Sequence, residues 1–244
     1  MFKHIFRNEM KNVFREPMYL FFSAYPMILG AIGYFLVPYL AEEFPEQVII
    51  SKVVAMFFIL MTSYIYGAVT GFTLLDDKDD KVLMSLKITP VSTKMYVLVK
   101  LIIGYVFGFI ATLIIVYATG FLDGIGHGNI LLISAVASLQ APFLALVVNS
   151  FADNKVEGFV VMKGTGMTLI LPVVAFWLTD WKEFFLIIAP GFWPARMIQM
   201  KIMPTEIFGF EYNLNFIGYF LLGLGYNLVL AFFLFRLYAK RSNI

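Results

Sequence analysis

The sequence predicts an all-α polytopic membrane protein that forms a single transmembrane domain over residues 1–244. Of these 244 residues, 61% are hydrophobic and only 14% are charged, and the mean hydropathy is +0.84. So few charged side chains cannot cover the surface of a soluble globular protein of this length. Apolar runs long enough to cross a hydrocarbon core of about 30 Å recur six times. They lie at about 18–40, 53–75, 95–122, 130–150, 159–179 and 214–238.

The lysines and arginines predict the orientation of these six spans. Fourteen of the eighteen fall on one side: Lys3, Arg7, Lys11, Arg15, Lys78, Lys81, Lys87, Lys94, Lys100, Lys155, Lys163, Arg236, Lys240 and Arg241. The other side has Lys52, Lys182, Arg196 and Lys201. Because cytoplasmic loops are enriched in basic residues, we expect both termini in the cytoplasm.

Residues 1–16 show the pattern of an amphipathic helix. Apolar side chains recur at three- and four-residue spacings, at Phe2, Ile5, Phe6, Met10, Val13 and Phe14. The basic residues of this stretch, Lys3, Arg7, Lys11 and Arg15, fall on the other side of the helix. The pattern favours an interfacial helix that lies on the membrane before Pro17 begins the first span. A simple basic flank of that span is the alternative.

A polar segment, residues 76–100, joins the second and third spans and predicts a short cytoplasmic helix. Asp77, Asp79 and Asp80 crowd its start and Lys87 lies at its end, as the helix dipole favours. Val82, Leu83 and Leu86 share one face, and Pro90 ends the element. A helix of two to three turns is marginal in water, so a partner surface or the lipid interface must hold its apolar side.

The segment between the fifth and sixth spans, about residues 180–213, contains an apolar stretch too short to cross. Pro190, Gly191 and Pro194 interrupt it, which predicts a re-entrant or interfacial element. A seventh crossing would also move the basic carboxy terminus to the outer side. All three tryptophans, Trp177, Trp181 and Trp193, lie at or beyond the outer end of the fifth span, where an aromatic belt is expected.

Composition excludes several kinds of chemistry. The chain has no cysteine, which excludes thiol catalysis, disulfides and thiolate metal sites. It has only two histidines, too few for a typical histidine metal site. A net charge of +2 gives no case for a nucleic-acid partner. The sequence contains no Ser–His–Asp arrangement, glycine-rich phosphate loop or Walker-type lysine motif. We therefore expect the chain itself neither to bind nor to hydrolyse ATP.

Asp76, Asp77 and Asp80 match the aspartate-rich DDxxD pattern that binds magnesium and diphosphate in membrane prenyltransferases. Such enzymes need a second acidic cluster that faces the first, and the sequence offers few other cytoplasmic acids. A solvated helix start is therefore the favoured interpretation. A magnesium-dependent membrane transferase built on the Asp76–Asp80 cluster stays as an alternative.

Several polar residues lie inside or beside the spans and form a candidate gating or substrate path: Thr62, Ser63, Gln140, Asn149, Glu157, Lys163 and Asn227. Hydrogen bonding between helices is the more common role for such groups. Lys163 lies about one turn inside the fifth span. Its ammonium group is expected either to reach the interface or to pair with Glu157 or Asp153.

The segment from Asp77 to Lys100 resembles the permease subunits of ABC transporters of the type-2 exporter class. The residues that carry the resemblance are Asp77-Lys78-Asp79-Asp80, Leu83, Leu86, Thr89-Pro90-Val91-Ser92 and Lys100. A Gly-Thr pair of that family is missing, and Lys81 and Val82 stand in its place. Residues 149–158 with Lys163, and the turn from Pro190 to Pro194, look like the later half of these permeases. The resemblance thus covers nearly the whole chain.

This resemblance implies a coupling helix that docks on a separate ATPase subunit. The implied contact residues are Asp77, Lys78, Asp79, Asp80, Leu83, Leu86, Thr89 and Pro90. It also implies a dimer with the same or a related permease in a bacterial cell membrane. The chain would be a transport subunit and not an enzyme, with ATP and magnesium bound by the partner. Its substrate would be an amphipathic drug, peptide or lipid-like compound. A secondary transporter is a further alternative, although the sequence shows no convincing internal repeat.

Overall fold

The computed structural model describes residues 6, 7, 10, 11, 14–44, 48–88, 92–178, 180–204 and 209–242, and the regular elements within these ranges are all helical. The α-helices are α1 (Pro17–Glu43), α2 (Val48–Asp79), α3 (Val82–Leu86), α4 (Thr93–Thr119), α5 (His127–Ala137), α6 (Gln140–Phe151), α7 (Lys155–Gly166), α8 (Ile170–Ala175), α9 (Phe192–Ile202) and α10 (Phe216–Arg241). Short 3-10 helices cover Met167–Leu169 and Trp181–Phe185.

Six helical segments in the described ranges are long and apolar enough to cross a membrane, which confirms the predicted number. They are α1, α2, α4, the pair α5–α6, the pair α7–α8, and α10. The third span ends at Thr119 because Gly120 takes a left-handed conformation, with φ at 67°. The fifth begins at Lys155, four residues before the predicted start, because Asn154 caps it.

The second and fourth spans form the centre of the bundle. In their apolar stretches 78% and 72% of the residues are buried, whereas the corresponding share is 22% in α1 and 17% in α10. Gly67 and Gly71 of α2 lie directly against Ala141 and Ala145 of α6. A Cβ atom on Gly67 would come within 2.7 Å of the Ala141 carbonyl oxygen. The glycines therefore permit the close approach of these two helices.

The segment between the fifth and sixth spans re-enters the bundle from the outer side. At Pro190 and Gly191 it reaches the middle of the sixth span, where the Asn227 side-chain amide donates to the Pro190 carbonyl at 3.4 Å. Helix α9 then leads back outward, and its 11 residues extend only about 16 Å, too short for a crossing. This arrangement confirms the predicted re-entrant element.

The tryptophan prediction is correct only in part. Trp177 and Trp181 are exposed near the outer end of the fifth span, as an aromatic belt requires. Trp193 is instead buried in α9, against Gly223 and beside the Tyr226 ring. The prediction is wrong for Trp193 because the re-entrant turn carries it into the bundle.

Most of the predicted interfacial helix, residues 1–16, lies outside the described residues. The described positions Phe6, Arg7, Met10, Lys11, Phe14 and Arg15 have helical conformation. The Phe6 ring stacks on Phe107 of α4 at 6.0 Å between ring centroids. The apolar side of this stretch thus contacts the third span, and its position on the membrane surface stays a prediction.

Candidate functional site at the cytoplasmic ends of the spans

A tight turn joins α2 to α3 and positions the cytoplasmic loop. Lys81 is the non-glycine residue with positive φ in the described chain, at 56°, a left-handed conformation that favours glycine. The type-2 exporter permeases that this segment resembles have a Gly-Thr pair in that place. Helix α3 follows at once and is only five residues long.

A buried ion pair connects the end of the second span to the third span. The Lys100 Nζ lies 2.5 Å from the Asp77 Oδ2, and both side chains are almost fully buried. The Tyr96 hydroxyl donates to the same carboxylate oxygen at 2.9 Å, and Lys100 also donates to the Thr73 carbonyl at 3.3 Å. Asp77 therefore faces into the protein. Its predicted contact with an ATPase is wrong as a direct contact, because α4 covers the carboxylate.

A second set of ion pairs connects the loop after the fourth span to its neighbours. Lys155 contacts Asp76 of α2 at 2.7 Å, and Lys78 of α2 pairs with Asp153. Arg241, at the end of α10, lies 3.7 Å from Asp153. The hydrogen bond and charge of Lys78, with a smaller effect of Arg241, hold the pKa of the Asp153 carboxyl below its usual value. Charged contacts thus link the cytoplasmic ends of the second, fourth, fifth and sixth spans.

The apolar side of α3 is held by this chain itself. Leu83 is buried with Leu74, Val97 and Tyr238, and Leu86 packs against the same cluster. The prediction that Leu83 is an exposed anchor for an ATPase is therefore wrong, and Leu86 is only partly exposed. A short helix does need an apolar partner, as that prediction assumed. The second, third and sixth spans of this chain supply the partner.

The side of the loop that faces away from the bundle carries different apolar residues. Met84 is 66% exposed and Ile88 is 91% exposed, four positions apart. They lie among exposed charged residues. Together these form a surface that we call the cytoplasmic tip, after its predicted orientation: Asp79, Asp80, Lys81, Met84, Lys87 and Ile88. The two further predicted contacts, Thr89 and Pro90, lie outside the described residues. The four-residue spacing of Met84 and Ile88 was the available sequence signal for this pair.

The polar residues inside the spans that were predicted to line a gating or substrate path form hydrogen bonds with groups of the helices. The Ser63 and Thr112 hydroxyls lie 2.9 Å apart between α2 and α4, and the Asn149 amide donates to the Gly71 carbonyl at 2.8 Å. The other three side chains donate hydrogen bonds to backbone carbonyls: Thr62 to Phe58, Gln140 to Leu60 and Ala137, and Asn227 to Pro190 and Gly223. All five residues are buried, and none of them lines the cleft of 470 Å³ that opens between α1 and α4.

Glu157 and Lys163 lie near each other in sequence but have separate environments. Glu157 accepts the Asp153 backbone N–H at 2.8 Å, while its own N–H donates to the Asn154 side chain at 3.0 Å. This reciprocal cap fixes the start of α7. Lys163 is exposed, in the last turn of the same helix.

The outer side contains a buried charge cluster that sequence reasoning did not identify. The Arg196 guanidinium lies 2.7 Å from the Glu183 carboxylate, and both residues are almost completely buried. Tyr219 and Asn213 each donate to Glu183 at 2.7 Å, and Arg196 donates to the Ala175 carbonyl at 2.9 Å. This cluster fastens the re-entrant segment to the fifth and sixth spans. Glu183 and Arg196, which flank the uncharged stretch 184–195, were the available signal.

The magnesium-site alternative does not fit this geometry. Lys155 neutralises Asp76 and Lys100 neutralises Asp77, while Asp80 is exposed on the tip. Over the described ranges, no three histidine or acidic residues are grouped as metal ligands would be. The aspartates instead serve as partners for cations on other helices.

Comparison with known proteins matches the chain to one protein family. The model of a family described as "Fluoroquinolones export permease protein Rv2686c-like" matches residues 9–235. Two similar proteins are the fluoroquinolones export permease proteins MT2760 and Rv2686c, from the Mycobacterium tuberculosis strains CDC 1551 / Oshkosh and ATCC 25618 / H37Rv. Each is 26% identical over 231 residues, which covers 85% of this chain and 87% of the relative. No solved structure matches the chain.

Proposed function

This chain belongs to the Rv2686c-like family of fluoroquinolone export permeases, and we propose that it is the membrane subunit of an ATP-driven exporter. The resemblance to exporter permeases in its cytoplasmic loop is confirmed by the family match, and the protein is a multi-pass membrane protein. The proposal adds coupling to an ATPase, a substrate class and a membrane orientation.

The observation that carries the coupling proposal is the pair of exposed apolar side chains on the cytoplasmic tip. Met84 and Ile88 protrude from a loop in which Leu83 is buried and Val82 and Leu86 are partly buried. Apolar anchors surrounded by charged residues are typical of a docking surface, because the anchors supply affinity and the charges set register. We therefore place the ATPase contact on Met84 and Ile88 rather than on Leu83 and Leu86.

The buried contacts behind the tip would carry motion into the membrane. Leu83 packs on the third and sixth spans, and the pair of Asp77 with Lys100 joins the second span to the third. A displacement of the tip by ATP-driven closure of the partner would therefore move these spans together. Rigid-body movement of this kind is a common basis for alternating access.

The chemistry of ATP is assigned to the partner chain. This chain lacks a Walker-type motif, so we propose that it is not an enzyme and holds no cofactor, with ATP and magnesium on the ATPase subunit. A second permease, either a copy of this chain or a related one, would complete the transporter.

The proposed substrate is an amphipathic drug, peptide or lipid-like compound, and the names of the relatives favour fluoroquinolones among these. An apolar cleft of 470 Å³ between α1 and α4, lined in part by Tyr34, Phe35 and Tyr66, has the size and aromatic character that suit such compounds. The proposed location is a bacterial cell membrane with both termini in the cytoplasm, on the basis of the basic-residue distribution.

The two rival functions receive less support. A magnesium-dependent transferase would use Asp76 and Asp77, and both carboxylates already pair with lysines. A secondary transporter would work without an ATPase and would leave the exposed apolar pair on the tip without a role.

Charge substitutions at the tip test the coupling proposal. We expect Met84→Asp and Ile88→Asp each to weaken binding to candidate ABC ATPases of the same genome by about 30-fold, the loss typical of an interface anchor. Ser85→Asp adds the same charge at an exposed position of α3 and serves as the matched control. Co-purification and ATP hydrolysis stimulated by the permease are the measurements.

The melting temperature of each purified permease separates lost docking from lost folding. Because Met84 and Ile88 are exposed, both variants should melt like the unmodified chain. If well-folded variants still bind the ATPase and stimulate ATP hydrolysis normally, the cytoplasmic tip is not the coupling surface.

A further inference from the structure

The cleft between α1 and α4 meets a smaller cavity at one side chain. Tyr66 and Ser23 line both the cleft of 470 Å³ and a pocket of 140 Å³ that lies nearer the α3 end of the bundle. The Tyr66 hydroxyl donates to the Ser23 carbonyl of α1 at 3.2 Å. The Tyr66 ring stacks on Phe107 of α4, with 6.3 Å between ring centroids. Tyr66, which projects from α2, thus forms the boundary between the two cavities.

The line of cavities continues towards both ends of the bundle. At the outer end, Thr119 lines both the cleft and a further pocket of 230 Å³ that reaches Lys52. At the other end, Lys100 lines the pocket of 140 Å³ and pairs with Asp77, which lines a polar pocket of 170 Å³. Lys100 and Thr119 are separated by about 28 Å along the axis of α4, close to the thickness of a hydrocarbon core. Neighbouring cavities therefore follow one another across most of the bundle.

One wall of this line is a helix that can move. In the apolar stretch of α1 22% of the residues are buried, against 78% in α2. Pro26 and Pro38 interrupt the backbone hydrogen bonds of α1, and each lines one of the cavities. A helix with two prolines and little buried surface bends more readily than the central spans. The pocket of 140 Å³ is too small for a drug-sized compound, so passage requires such a movement.

The cavities suit a transported aromatic compound better than a bound lipid. Tyr34 and Phe35 are exposed at the mouth of the cleft, and Tyr66 lies at its inner end. These rings favour stacking with another aromatic ring. A lipid chain would need a cleft that opens to the hydrocarbon core, but it would not need cavities that continue to polar residues at both ends. A compound that crosses the membrane needs both features.

We infer that the transported compound passes through this chain along α1, and that the Tyr66 ring contacts it where the cleft and the pocket of 140 Å³ meet. The inference rests on the proposed function and adds a path and a recognition residue. Fluoroquinolones, named for the relatives, are planar aromatic compounds. Such a compound would stack on the Tyr66 ring, while the hydrogen bond to Ser23 keeps the tyrosine against α1.

The test uses norfloxacin, a fluoroquinolone, with the permease–ATPase complex. Binding is titrated in lipid nanodiscs, and ATP-driven uptake is measured in inside-out vesicles. We expect Tyr66→Ala to weaken binding by about 10-fold, the loss of one aromatic contact, and to reduce uptake. Tyr66→Phe keeps the ring and should bind norfloxacin like the unmodified complex.

A second pair of variants decides the inference even if Tyr66→Ala folds poorly. Ala118→Trp places an indole in the cleft from an exposed position of α4, and it should weaken binding because it occupies the space of the compound. Val106→Trp is the matched control, since Val106 is exposed on the same helix and lines neither the cleft nor the pocket of 140 Å³. Because both positions are exposed, both variants should melt like the unmodified chain.

Each result decides the inference. If the unmodified complex exports norfloxacin but Tyr66→Ala or Ala118→Trp binds it normally, the inference is overturned and the proposed function stands. Equal losses in Tyr66→Phe and Tyr66→Ala would overturn recognition by the ring. If Ala118→Trp reduces only the phospholipid that co-purifies with the permease, the cleft is a lipid site and the inference is also overturned. If the unmodified complex neither binds nor exports norfloxacin, the proposed function fails and the inference falls with it.

Discussion

Asp77 and Lys100 illustrate how single residues set the structure of the cytoplasmic side. Each charge would be costly alone at a buried position, and the pair is stable because the Tyr96 hydroxyl and the Thr73 carbonyl complete its hydrogen bonds. Leu83, close by, shows the same principle for apolar groups, since it is buried against neighbouring spans. The exposed residues Met84 and Ile88 are the proposed anchors for an ATPase subunit.

Breaking the pair on one side should cost more than removing it. We expect Asp77→Asn or Lys100→Met to lower the free energy of unfolding by about 3–5 kcal/mol, because each leaves one buried charge without its partner. The double variant Asp77→Asn with Lys100→Met should recover most of that loss. Thermal unfolding in one detergent, followed by tryptophan fluorescence, measures the effect. Additive losses in the double variant would show that the two groups do not interact.

At the scale of elements, the re-entrant segment depends on charge burial rather than on helix length. Helix α9 is too short to span and is stabilised by packing on α8 and α10 and by the pair of Arg196 with Glu183. The cytoplasmic loop likewise depends on one turn residue. Lys81 adopts a left-handed conformation, so α3 turns back on the ends of α2 and α4.

The buried outer pair should therefore be far more important than an exposed one beside it. Glu183→Gln keeps a hydrogen-bonding side chain but leaves the Arg196 charge buried, and we expect a loss of about 3–5 kcal/mol. Lys182→Met removes an exposed pair with Asp180 and should cost about 1 kcal/mol or less. Melting of the two purified variants is compared, and the fluorescence of buried Trp193 reports on the region. Similar melting of both would contradict the assigned role of the buried pair.

At the scale of the whole molecule, two central spans are surrounded by more exposed ones. The second and fourth spans are mostly buried, whereas the first, fifth and sixth expose most of their apolar surface. That surface is suited to lipid and to a second permease. The proposed orientation, with the cytoplasmic tip inside the cell, rests on the excess of basic residues at that end of the bundle.

Single cysteines can test this orientation, because the chain contains none. Ser85→Cys, exposed in α3 beside the cytoplasmic tip, should react with a membrane-impermeant maleimide in inside-out vesicles and not in intact cells. Asp123→Cys, exposed at the opposite end of the bundle, should react in intact cells. The cysteine-free chain is the control for background labelling. The reverse pattern would overturn the orientation and the proposed contact with a cytoplasmic ATPase.

The sequence by itself determined the number and approximate position of the spans and the presence of the re-entrant segment. These features depend on hydropathy and on chain breakers, which act locally and can be counted along the chain. The family resemblance of the cytoplasmic loop was also available from sequence, because the motif is contiguous. The left-handed turn at Lys81 could not be predicted from sequence, because lysine has no preference for that conformation.

Only the tertiary structure decided which side of each helix meets another. Helical spacing showed that Leu83 and Leu86 share a face, but the packing of three spans determined that Leu83 is buried and Leu86 partly buried, and that Met84 and Ile88 are exposed. The partners of Asp77, Glu157 and Arg196 likewise come from other helices or from a cap. The physical reason is that a buried charge or an apolar face is stabilised by side chains of the helix packed against it. Sequence periodicity does not specify which helix that is.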